Sequence, residues 1–222
     1  MNEHVLEALS AECARTGVFL ESLDAGDWTQ PTRCPPLSVF ELAVHAYRGS
    51  RRIVEMIEAG PHPDEAEKSA ITYFQYDAAT EAPVVVQRAQ ESAKEFEPAT
   101  FATTWTTGWD EALSKAAPAL AVDLVFTTIF GRMHMAEYLK TRVVEVTIHA
   151  MDLRDALMMA PDPTQEGLTV CCDVLRGLAG ADVRPLGIDD VRFAETATGR
   201  ATLDHAEKEL LGPLAALFPV LV

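Results

Sequence analysis

Positive charge is scarce in this chain. Its 222 residues carry 18 Lys and Arg against 34 Asp and Glu, a formal net charge of -16, and no basic stripe runs along it, which argues against a nucleic-acid footprint. Long hydrophobic runs are missing as well: none reaches the roughly 18 apolar residues that a membrane span requires. The opening stretch, MNEHVLEALSAECA, is acidic and amphipathic, so it does not read as a signal peptide. Cysteines are few: Cys13, Cys34, Cys171 and Cys172, with no CxxC pair. Adjacent cysteines rarely bond to each other, and reduced thiols in a cytoplasmic protein are the simplest reading. Neither internal repeats nor low-complexity segments occur. A hydrophobic content of 48% is enough for a sizeable core, and the whole fits a protein that handles small molecules.

Hydrophobic periodicity is mostly helical. Residues 2 to about 23 carry Val5, Leu6, Leu9, Cys13, Val18, Phe19 and Leu23 at helical spacing, and Asp24-Ala-Gly-Asp27 stops them. Ser38-x-x-Glu41 is a capping-box pattern, so a second helix is expected from Val39 to Ala59, ended by Gly60-Pro61. A loop with Tyr73, Phe74 and Tyr76 follows. Helical stretches are expected at about 78–96, interrupted by Pro83, and at 99–120, punctuated by Pro98 and Pro118. Residues 122–130 (VDLVFTTIF) read as a strand or extended connector. Beyond residue 160 the pattern predicts a helix over 168–178, a short strand over 191–195 and a last helix over 203–218. The fold class is therefore all-α with minor β: residues 1–160 as a helical bundle and 161–222 as a short C-terminal α/β extension packed on it.

Met133 to Leu157 holds the chemistry. The stretch has no Gly or Pro and reads as one long helix, with Val143, Val146, Ala150, Leu153 and Leu157 as its core stripe and Val144 and Ile148 adding a second apolar side. Glu145 and His149 sit inside this apolar stretch, one turn apart on one face. An uncompensated buried carboxylate is expensive. Spacing alone admits a hydrogen-bonded Glu/His pair or two metal ligands. His45, on the second helix, supplies a third candidate, since neighbouring bundle helices bring such groups together. Two His and one carboxylate suit a divalent transition metal, and three protein ligands leave a coordination position open. Zn2+ is the first expectation; Ni2+ suits the same set.

Asp152, one turn beyond His149, is either an acceptor that orients His149 or an exposed helix charge. Arg142, one turn before Glu145, either holds a substrate carboxylate or makes a structural ion pair. Arg48, one turn beyond His45, has the same two readings. These three are the candidates for catalytic roles. His134 lies roughly 16 Å along the helix from Glu145, too far to share a metal. Cys34 has three readings, a nucleophile, a fourth metal ligand or a loop or packing residue, and the last is preferred; Cys171-Cys172 reads as buried packing. Trp28, Trp105 and Trp109 read as core anchors, and His4, His62 and His205 as solvated.

Two segments carry a family resemblance. Asp27-Trp-Thr-Gln-Pro-Thr-Arg-Cys-Pro-Pro-Leu-Ser-Val-Phe-Glu-Leu-Ala-Val-His45 and Tyr138-Leu-Lys-Thr-Arg-Val-Val-Glu-Val-Thr-Ile-His-Ala-Met-Asp152 resemble the mycothiol-dependent maleylpyruvate isomerase family, within the DinB-like metal-binding bundle superfamily. The resemblance implies a four-helix bundle in which His45, Glu145 and His149 bind the metal. It implies mycothiol as a thiol cosubstrate whose metal-bound thiolate attacks a small electrophile, as an S-transferase or an isomerase. Pro36-Leu37 stands where relatives commonly have Gly-Trp, a change in a loop expected at the pocket mouth. A metal-assisted hydrolase and a non-catalytic metal-containing binding protein remain the alternatives, and the chain is expected as a monomer or homodimer.

Overall fold

The structure is a computed structural model that describes residues 3–75, 77–180 and 187–221; Tyr76 lies outside them. Four long helices form the bundle: α1 (Glu3–Glu21), α2 (Val39–Ala59), α5 (Pro98–Ala121) and α6 (Met135–Ala156). Helices α1 and α2 each pack against both α5 and α6, so the four close a ring around a common core. The fold is mostly α with minor β. The described β structure is one antiparallel hairpin, β1 (Val125–Thr128) with β2 (Gly131–His134), together with two isolated bridges.

Local sequence explains the ends of these helices. The capping box at α2 is formed in full: the Ser38 side chain accepts from Glu41 N, and the Glu41 carboxylate accepts from Ser38 N at 2.8 Å. Gly60, at φ +87°, stops the helix in a conformation that a side chain would resist. Helix α6 begins at Met135, two residues later than its periodicity predicts, because Met133 and His134 pair with Phe126 and Val125 in the hairpin. Val143, Val146 and Leu153 of α6 are fully or almost fully buried, as are Val144 and Ile148. Each such side chain contributes roughly 1.5–3 kcal/mol relative to exposure.

Four expectations are corrected. Helix α4 (Ala78–Ala93) runs through Pro83 without a break, and α5 runs through Pro118; both prolines face solvent, and each falls within two turns of a helix end. The loop before α4 contains a one-turn helix, α3 (Ala70–Tyr73). Beyond residue 160, α7 (Gln165–Ala179) packs on α1 and α6, and α8 (Asp190–Ala197) packs on α7. The residues expected as a strand, 191–195, are helical. Asp189 caps them by accepting from Val191 N and Arg192 N, and this local bond outweighs the β-branched and aromatic composition. No described residue after 160 is in a strand. The final helix is also shorter than expected. Helix α9 (His205–Leu211) ends at Gly212, φ +54°, and gives way to a 3-10 turn over Gly212–Leu217 that contains Pro213.

An aromatic cluster fixes the α1–α2–α5 side. Trp28, Phe40 and Phe101 pack edge to face, and Trp105 Nε1 donates to the Cys13 carbonyl at 2.8 Å. Trp28, Trp105 and Trp109 are all buried core residues. The α2–α6 side carries the polar groups.

Candidate metal centre

His45 comes from the second turn of α2, Glu145 and His149 from successive turns of α6. The fold brings all three together. Their ligand atoms lie within 4.8 Å of one another. One carboxylate oxygen, Glu145 Oε2, faces both imidazoles: His45 Nε2 at 3.4 Å and His149 Nε2 at 3.6 Å. The two rings stand edge to face, centroids 5.0 Å apart. The helix around Glu145 is apolar, yet the carboxylate is not sealed in it. Its side chain is 23% exposed, because it opens into a cavity of about 800 Å³.

Burial pushes the Glu145 carboxyl up, but the hydrogen bonds from His149 and His45 and the nearby Arg142 charge outweigh it and hold the group well below the usual carboxylate range. His45 is pushed down, first by burial. Burial also disfavours the His149 cation, but Asp152, Cys34 and Glu145 outweigh it and raise His149 well above the ordinary imidazole value. Two imidazoles and an ionised carboxylate converging on one point match the donor set of a divalent transition metal.

Behind His149 lies Asp152, with no exposed side-chain surface. The reading of Asp152 as an exposed helix charge is therefore excluded. Its Oδ2 accepts from His149 Nδ1 at 2.9 Å. That bond fixes the ring so that Nε2 faces Glu145 Oε2. Asp152 is surrounded by further donors: Arg33 Nε to Oδ1 at 2.6 Å, Cys34 Sγ to Oδ2 at 3.2 Å, and Arg200 Nε and Nη2 to Oδ1 and Oδ2 at 3.2 and 3.0 Å. Burial works against its charge, and His149 and then Arg200 overcome it, so the group stays ionised far below the ordinary range.

Arg33 and Arg200 had no signal in the sequence. Arg33 sits inside the proline-rich loop before α2, and Arg200 follows the Thr198-Gly199 turn after α8. Only the tertiary fold sets them against α6. Cys34, read from sequence as a loop residue, is placed within metal-ligand distance of His149 and Asp152.

Arg142 does not form an ion pair with Glu145. Its Nη2 donates to Tyr73 Oη at 3.1 Å, and its guanidinium lies over the rings of Tyr73 and Tyr138, 5.5 and 5.0 Å from their centroids. Arg48 donates to Ser92 Oγ of α4. Both arginines line the cavity, as do Cys34 and Leu37 of the loop before α2.

The family described as the mycothiol maleylpyruvate isomerase N-terminal domain matches residues 9–154. The chain belongs to this family. A search of curated proteins and one of solved structures find no match. For this member of the mycothiol maleylpyruvate isomerase N-terminal family, the matched stretch contains His45, Glu145, His149 and Asp152, and ends two residues after Asp152. Arg200 lies outside it. No helix of the described residues is long and apolar enough to cross a membrane.

Proposed function

We propose that the protein is a divalent-metal enzyme that uses mycothiol, or a similar low-molecular-weight thiol, against a small electrophile. The observation that carries this reading is a single carboxylate oxygen faced by two imidazole nitrogens at 3.4 and 3.6 Å on the wall of a substrate-sized cavity. His45, Glu145 and His149 hold the metal, Zn2+ in the first instance and Ni2+ as the other fit. When bound, the metal supplies positive charge that brings a thiol pKa down into the neutral range.

The other residues have supporting roles. Asp152 is a positioning residue: it holds the His149 ring so that Nε2 faces the site. Arg142, braced by Tyr73 and Tyr138, and Arg48 turn cationic groups towards the substrate space. In an isomerase the thiolate adds to a conjugated double bond, the resulting single bond rotates, and elimination returns the thiol. In an S-transferase the adduct leaves. Residues 1–160 form the metal-binding unit and 161–222 an extension packed on it, in a cytoplasmic monomer or homodimer.

The test has two parts. Metal content of the purified protein is compared with that of His45→Ala, His149→Ala and Glu145→Gln; each variant is expected to lose metal while staying helical by circular dichroism. Full metal stoichiometry in both histidine variants overturns the assignment. A thiol panel with a model electrophile then separates the chemistries. Consumption of mycothiol supports the reading, whereas hydrolysis without thiol, or binding without turnover, refutes it.

A further inference from the structure

The cavity runs against the charge of the molecule. The protein carries a formal net charge of -16, yet six arginines and four glutamates line this one space. Three of the arginines are neutralised at close range: Arg51 by Glu95 at 2.7 Å, Arg52 by Glu55 at 2.9 Å, and Arg200 by Asp152 at 3.0 Å. Arg142 is held by aromatic rings and a hydroxyl. Arg48 and Arg88 form no ion pair with any described residue, and Arg88 makes no hydrogen bond to one. They come from different helices, Arg48 from α2 and Arg88 from α4, and both are half-buried on the cavity wall.

This arrangement is costly to fold. Arg48, Arg51 and Arg52 share one face of α2 at spacings of three and four, where like charges repel. Arg88 is added from the facing helix. Burial, and then the charges of Arg88, Arg51 and Arg52, push the Arg48 guanidinium below its ordinary value. A packing role accounts for part of Arg48, whose bond to Ser92 ties α2 to α4. It does not account for Arg88, which no described residue neutralises. Guanidinium groups gathered without carboxylate partners in a concave site are matched by an anion, which accepts paired hydrogen bonds from their forks.

We infer that Arg48 and Arg88 form an anion subsite on the α2–α4 wall, and that the electrophile taken by this cavity carries a carboxylate or phosphate group held there while its reactive carbon faces Glu145 and the two histidines. The inference rests on the reading of the cavity as the site that takes the electrophile, while binding of an anion at Arg48 and Arg88 needs neither the metal nor the thiol. Arg88 becomes a specificity-determining residue. The loop at Cys34–Leu37 and the wall at Arg88 serve different parts of the ligand.

Titration calorimetry of the thiol-free protein with succinate and, separately, with inorganic phosphate tests this. Saturable binding of at least one anion is expected, weakened tenfold or more by Arg88→Gln and by Arg48→Gln, and unchanged by Arg15→Gln at the exposed Arg15–Asp162 pair. Tighter binding of succinate marks a carboxylate ligand and tighter binding of phosphate a phosphorylated one. Absence of binding of either anion, or an Arg88→Gln affinity equal to wild type, overturns the subsite. Arg88→Gln removes no described hydrogen bond or ion pair, so it reports even if Arg48→Gln fails to fold. Loss of the subsite would leave the metal measurements on His45 and His149 untouched, and failure of those measurements would leave the calorimetry standing.

Discussion

Glu12 offers a quantitative check on the packing around the site helix. It lies on α1, only 1% exposed, and its Oε1 accepts from Thr164 N at 2.8 Å, at the cap of α7. Gly167 is pressed so close that an added Cβ would lie 2.3 Å from Glu12 Cγ. Burial raises the carboxyl from 4.5 to about 7, against the opposing Thr164 bonds and the Arg15 charge. The folded state therefore holds this proton more tightly than the unfolded state. The stabilising contribution of the neutral carboxyl is fully present below 4.5 and is lost as pH rises through about 7. At about 1.4 kcal/mol per pH unit the loss amounts to roughly 3 kcal/mol, most of it between pH 5 and pH 7. Glu12→Gln keeps an oxygen for Thr164 N and removes the ionisation. Urea denaturation of both proteins at pH 5, 6, 7 and 8 is the assay, since comparison at each pH cancels the other titrating groups. The stability difference in favour of the glutamine variant should grow from pH 5 to pH 7 and then level off. A difference that stays constant over the whole range would refute the reasoning.

Asp152→Asn should weaken metal affinity by about 10–100-fold, measured by competition with a chelator, because His149 then faces an uncharged and weaker acceptor; unchanged affinity would reduce Asp152 to a partner for Arg33 and Arg200. Gly108→Ala places a Cβ 2.4 Å from Tyr47 Oη and should cost about 1–3 kcal/mol in chemical denaturation; wild-type stability would mean that the Tyr47 ring moves freely. Ser38→Ala removes the α2 cap and should cost about 1 kcal/mol, with a smaller effect on metal content because His45 lies in the second turn. No measurable loss of stability would show that the rest of the capping box carries the helix start.

Much of the bundle was legible because its signals are local. The Ser38–Glu41 capping box and the apolar stripe of α6 each involve neighbours within one or two turns, and the same periodicity placed Glu145 beside His149. His45 was recoverable because a helix in a bundle presents one face to the core. The failures also have local causes. The residues 191–195 have strand-like composition, but Asp189 supplies two cap bonds that composition does not count. Pro83 and Pro118 look like breaks, yet both face solvent, where water can serve the carbonyl that each leaves without a partner. The environment of Asp152 could not be read at all. Arg33 approaches from 119 residues away and Arg200 from 48, and no spacing rule reaches that far. The charge of the cavity was hidden for a related reason, since an acidic total says nothing about where the arginines gather.

The donors to Asp152 have a consequence for how such chains are divided into parts. Similarity ends at residue 154, a natural place to cut an expression fragment, and such a fragment would retain every proposed ligand. It would also strip Asp152 of a two-pronged guanidinium partner, leaving the carboxylate to Arg33, Cys34 and His149. The pull on the His149 proton would then change although nothing in the matched stretch had been altered. Modules that look separable by sequence similarity share one electrostatic unit here, and an excised piece would report on a different imidazole from the one the whole chain carries.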